Sequence, residues 1–123
     1  MLTEKDYCDY ETCVALKKLG FDKLVDWYFN EEKSIVSSLT RYRNTYIPRI
    51  SLYEAQKWLR EEKNIDISIT ISPFEYFATI REFVFRNGEY SFETPPTYPN
   101  GAKTYEEALF EGIKSAVKIL KEN

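Results

Sequence analysis

Between residues 33 and 53 the chain carries Lys33, Arg41, Arg43 and Arg49 and neither aspartate nor glutamate. Tyr42, Asn44 and Tyr46 are interleaved with the arginines. A guanidinium makes forked hydrogen bonds to planar anions and stacks on aromatic rings. Arginine and tyrosine at this spacing suit phosphate, carboxylate or an acidic protein surface. Arg41, Tyr42, Arg43, Tyr46 and Arg49 are therefore the expected contact surface. The competing role is a solvated loop whose arginines pair with acids elsewhere in the chain. Single-stranded nucleic acid uses the same residue types, but the charge argues against it. Residues 1–63 hold 11 basic and 11 acidic side chains, and residues 64–123 hold 6 and 9, which leaves a net charge of −3 and no polybasic footprint.

Other chemistry is narrowed by what is missing. The chain has no histidine, which removes the commonest general base and the commonest neutral metal ligand. Ser-His and Cys-His nucleophile pairs cannot form within one chain. Cys8 and Cys13, a C-x4-C pair, do not make a structural zinc site. Placed on one helix they would point about 140° apart, so no structural disulfide is expected and both are read as reduced thiols. The four glycines fall in no phosphate-binding pattern. Glu4, Asp6, Asp9 and Glu11 lie close together, but without calcium-loop spacing they read as helix caps and dipole partners. Pro95-Pro96-Thr97-Tyr98 matches the P-P-x-Y pattern that docks in aromatic grooves; the plainer reading is a stiff lead into the last helix, with Asn100-Gly101 as its turn. No cofactor, no metal and no enzymatic activity are expected. A carboxylate-based enzyme is the remote alternative, with no pair of acids to nominate.

The elements that position these residues are written in capping and periodicity. Asp9 is placed to cap a first helix that ends at Gly20, where a left-handed residue closes a Schellman turn and Phe21 packs back on Leu16. Leu24 to Phe29 and Ile35 to Leu39 read as strands joined by the polar turn Asn30 to Ser34. Thr40 to Ile50 has no period and reads as loop, with Pro48 holding Ile47 extended. Ser51 and Glu54 form a capping box for a second helix, whose buried stripe is Leu52, Ala55, Trp58 and Leu59. Asn64 is suited to end it.

Ile65, Ile67, Ile69 and Ile71 then alternate with Asp66, Ser68, Thr70 and Ser72, which predicts a strand with one buried and one polar face. Tyr76 to Arg86 and Glu89 to Glu93 flank Asn87-Gly88, a type I′ hairpin signal. Thr104 and Glu107 form a second capping box. Tyr105, Leu109, Ile113, Val117 and Leu120 are the stripe of the third helix. Beside them Ala108, Gly112 and Ala116 recur every four residues and would let that helix lie close to a sheet.

A chain of 123 residues with 43% apolar and 30% charged side chains has the size and composition of one globular domain. The aromatic fraction of 16%, with ten tyrosines, suggests a half-wet sheet face or a contact surface. No apolar run approaches a membrane span, and the N-terminal residues lack a signal-peptide pattern, so a cytoplasmic protein is expected. The fold expected is α+β: a two-layer sandwich with three helices on one face of a mainly antiparallel sheet of four or five strands, in the order α-β-β-α-β-β-β-α, over residues 1–123 as a single domain.

Asp6 to Phe21 (DYCDYETCVALKKLGF), Leu52 to Arg60 (LYEAQKWLR) and Thr104 to Leu120 (TYEEALFEGIKSAVKIL) resemble stretches of a group of small uncharacterised proteins of gut bacteria and their phages. They cover about a third of the chain. The shared positions are helix caps and stripes, so the resemblance implies a common fold and the setting of a mobile or prophage gene, and no activity. The expected function is a binding module that contacts a protein partner or a second copy of itself, through the polar sheet face or the Arg41–Arg49 loop. The alternative is nucleic-acid binding by the β-β-β-α unit of residues 65–120, with only Arg81 and Arg86 as basic residues in its strands.

Overall fold

A computed structural model of the chain describes residues 2–39, 43–92 and 95–122. These form two compact units, Met1–Ser51 and Leu52–Asn123.

In the first unit a short 3-10 turn, Glu4–Asp6, precedes helix α1, Tyr10–Lys18. The acids do the capping assigned to them: the Asp6 carboxylate accepts from Thr3 N–H at 2.8 Å, and Asp9 Oδ1 accepts from Thr12 N–H at 2.8 Å. At the other end Gly20 (φ +110°) donates to Lys17 O, and Phe21 donates to Leu16 O, both at 3.0 Å. This is the anticipated Schellman closure, and Phe21 and Leu16 are both buried.

The two strands that follow are shorter than their apolar runs. Strand β1 is Trp27–Phe29 and β2 is Ile35–Ser37. Leu24 is 90% exposed and outside β1. The turn between them is built by Asn30, whose Oδ1 accepts from Glu32 and Ser34 N–H, with Lys33 left-handed at φ 64°. A third strand, β3 (Ile47–Pro48), lies in the segment expected to be loop and gives the sheet order β2-β1-β3, all antiparallel. Pro48 lacks an N–H, and it is accommodated because β3 is an edge strand. Thr40, Arg41 and Tyr42 lie outside the described residues.

In the second unit α2 spans Leu52–Lys63, and its stripe Leu52, Ala55, Trp58 and Leu59 is buried as expected. Asn64 (φ 56°) follows it in the left-handed region. Strands β4 (Ile65–Ile71), β5 (Tyr76–Arg86) and β6 (Glu89–Phe92) form an antiparallel sheet in that order. Asn87 and Gly88, with φ of 53° and 80°, make the two-residue turn that fixes the pairing Arg86↔Glu89. Glu93, expected to end β6, lies outside the described residues. Beyond it, Thr97 and Ile80 exchange backbone hydrogen bonds, and so do Ala102 and Tyr76. Within Pro95-Pro96-Thr97-Tyr98, Thr97 is thus tied to β5.

Helix α3, Tyr105–Glu122, starts with Thr104 Oγ1 accepting from Glu107 N–H at 3.1 Å. It packs on β4 and β5, and α2 packs on β4 and α3. Ile65, Ile67, Ala78, Ile80, Leu109, Ile113 and Val117 are buried, as is Gly112, with Ala108 and Ala116 fully so. The isoleucine period holds in pairing but not in burial. Ile71 is 68% exposed, at the far end of β4.

The chain is therefore mixed α+β; among the described residues there are three α-helices, and the strands divide between two three-stranded sheets instead of joining one of four or five. The division has a local cause. Pro48 and its neighbours return to β1, with Arg49 N–H donating to Trp27 O, and so complete the first sheet within its own unit. Only α2 and α3 belong to the unit of the second sheet, and α1 lies against β3 in the first.

Candidate functional site

The arginine-rich window does not converge on one point. Arg41 and Tyr42 lie outside the described residues. Arg43 Nη1 pairs with Glu31 Oε1 at 3.3 Å, both side chains more than half exposed. The Arg49 guanidinium stacks over the Tyr7 ring at 4.0 Å, and Lys33 Nζ lies 5.0 Å from the centre of the Tyr10 ring. Tyr46 contributes its backbone: its carbonyl and that of Asn44 accept from Lys17 Nζ at 2.9 and 2.5 Å. Much of the cationic surface is thus spent inside the unit, on a surface acid, two rings and two carbonyls.

The sheet of the second unit offers more. A strand alternates its side chains between faces, and the register sorts them. One face carries Ile65, Ile67, Ala78 and Ile80 toward α3. The opposite face carries Asp66, Ser68 and Thr70 from β4, paired with Arg81, Thr79 and Phe77 of β5. Further along β5 the same face carries Phe83 and Phe85, directly across from Phe92 and Tyr90 of β6. The face expected to be polar is polar at β4 and at Thr79 and Arg81 of β5, and aromatic where β5 pairs with β6.

These rings are in contact and largely wet. Phe83 and Tyr90 meet edge-on at 5.4 Å between centroids, and Phe85 and Tyr90 are tilted against each other at 4.8 Å. The Arg81 guanidinium lies 4.8 Å from the centre of the Phe92 ring. Phe85, Tyr90 and Phe92 are 60, 71 and 55% exposed. Phe83, Tyr90 and Phe92 also border an open groove of about 620 Å³, completed by Arg60, Glu61, Asn64 and Asp66. A contiguous exposed apolar patch with a polar rim marks an interaction site.

The sequence contains the signal for this cluster, in the two-residue spacing of Arg81, Phe83 and Phe85 and of Tyr90 and Phe92. Joined to the pairing that Asn87-Gly88 imposes, it places all five on one face. Among the described residues no group of three or more cysteines or acids could hold a metal ion, and no helix is long and apolar enough to cross a membrane. No protein-family model, curated protein or solved structure matches the chain.

Proposed function

We propose that the chain is a protein-binding module whose second unit receives an extended segment of a partner protein on the outer face of β5 and β6. The observation that carries this is the row of exposed aromatic rings at Phe85, Tyr90 and Phe92. Their spacing along each strand is two residues, the period at which an extended peptide presents side chains to one side. Strand β6 is an edge, so its outer backbone groups can pair with an added strand. Arg60, Glu61 and Asp66 line the groove and Arg81 lies against Phe92, two charges of each sign, so the segment is apolar at alternate positions and near neutral. An accessory factor of a phage or prophage, the setting implied by the sequence resemblance, is a natural host for such a module.

Rings and an arginine on a three-stranded sheet also suit stacked single-stranded bases. Two arginines offset by two acids give little counterion release, which favours the protein reading.

Panning a displayed library of random peptides against the wild type and against Tyr90→Ser/Phe92→Ser tests the proposal. The expected result is enrichment of peptides with apolar residues at alternate positions on the wild type, lost on the variant. Equal enrichment on both proteins overturns the surface. Retention of oligo-dT that falls steeply with salt overturns it in favour of nucleic acid, and a concentration-dependent dimer abolished by the same substitutions assigns the face to a second copy.

A further inference from the structure

The two cysteines occupy a different relationship from the one their spacing suggests. Helix α1 begins at Tyr10, so Cys8 lies before the helix in extended chain and Cys13 lies in its first turns. Counting both on one helical wheel does not apply. The turn of α1 carries Cys13 back over the incoming strand: its N–H donates to Asp9 O at 3.0 Å, and its thiol lies 3.8 Å from the Cys8 carbonyl. Neither cysteine forms a disulfide, and they are 3% and 0% exposed.

The surroundings favour a thiolate at Cys13. The Cys8 thiol donating to its sulfur holds the Cys13 thiol below its ordinary range, against the opposing effect of burial. Ile50 N–H, which donates to Cys13 Sγ at 3.4 Å, and the Arg49 charge act in the same direction as Cys8, while Asp9 opposes. A lowered thiol pKa is one requirement of a reactive cysteine, and access to the oxidant is the other.

We infer that Cys8 and Cys13 are a dithiol–disulfide pair oxidised by hydroperoxides, with Cys13 as the attacking sulfur and Cys8 as the resolving one. The Cys13 thiolate attacks one oxygen of the hydroperoxide; the O–O bond breaks, a sulfenic acid forms, and the departing oxygen takes a proton as water or alcohol. The Cys8 sulfur then attacks the sulfenic sulfur. Its proton leaves with the displaced hydroxyl as water, and the S–S bond closes. Two thiols are oxidised by two electrons, and one peroxide bond is reduced. Because both sulfurs are buried, the reaction runs through local opening of the N-terminal segment. That segment is held by the Cys8 N–H to Ile50 O hydrogen bond and the bridge between Tyr7 and Ser51. The disulfide would tie the approach strand to α1. The pair lies in the first unit and is independent of the aromatic face.

The test is titration of the folded wild-type protein with hydrogen peroxide, followed by denaturation, thiol blocking and intact mass. The expected product is a monomer that has lost two hydrogens and both blockable thiols, restored by a dithiol reductant. Cys8→Ser should stop at a sulfenic acid captured by dimedone, and Cys13→Ser should leave Cys8 reduced at the same dose. The wild-type measurement stands even where a variant folds poorly. Two thiols still blockable after treatment, oxygen added without an S–S bond, or disulfides only between molecules would each overturn the inference.

Discussion

Helix α3 approaches β4 so closely at Gly112 that a β-carbon there would stand 2.7 Å from Cγ2 of Ile67 and 3.1 Å from the β-carbon of Ala78. The methyl it would strike sits on a stiff β-branched side chain that is 2% exposed, so it has little room to turn away. Alanine gains about 1 kcal/mol of helix propensity over glycine, but overpacking a filled core costs about 1–3 kcal/mol. Gly112→Ala is therefore expected to lower the stability read from urea unfolding by up to about 2 kcal/mol, and Gly112→Val by more. A more stable Gly112→Ala protein would mean that the helix slides off the sheet freely.

The Asp9 carboxylate meets one of the N–H groups that a helix start leaves unpaired. Asp9→Ala should cost about 1 kcal/mol, and Asp9→Ser, which keeps a capping oxygen, a few tenths. Denaturant midpoints at constant slope measure both. Equal losses for the two variants would show that the charge near the helix dipole matters and the cap bond does not.

What was legible in the residues was local. Asp9, Gly20, Asn64, Asn87 and Thr104 each state a backbone requirement within a few positions, and each stands where it was expected. The sheets were less legible because strand partnership is a long-range choice. Nothing in Ile35–Ser37 announces that Pro48 will return to β1, and with that return the first sheet completes itself within its unit. Burial along β4 fails at Ile71 for a similar reason, since period two specifies a face and not how far the cover over it extends. For the contact surface, composition pointed to the arginine window, while the aromatic face needed register as well as residue type.

Arg49 and Tyr7 stand 4.0 Å apart in a half-buried stack, while Arg43 and Glu31 form an exposed ion pair. Double-mutant cycles should separate them. Arg49→Ala with Tyr7→Leu is expected to show a coupling of about 0.5–1 kcal/mol that persists in salt. Arg43→Ala with Glu31→Ala should show less than about 0.5 kcal/mol, falling as salt is added. A strong, salt-resistant coupling for the second pair would make Arg43 a fixed strut of the first unit and remove it from any contact role.

The aromatic rings of β5 and β6 pose the sharpest contrast between holding the fold and meeting a partner. A cross-strand aromatic pair contributes about 0.2–1 kcal/mol relative to alanine, and side chains more than half exposed have little burial to lose. Tyr90→Ser/Phe92→Ser should therefore cost no more than about 1–2 kcal/mol. Ile67→Ala, which empties a filled position under Gly112, should cost about 2–5 kcal/mol. Urea unfolding of the three proteins, with far-ultraviolet dichroism to verify the hairpin, decides the matter. Should the double substitution cost as much as Ile67→Ala, the rings belong to the hydrophobic core and cannot be the docking face. Should it leave the protein as stable or improve its solubility, the residues contribute nothing that the isolated chain needs. Solvent-exposed aromatics of that kind are explained by what they touch in a complex.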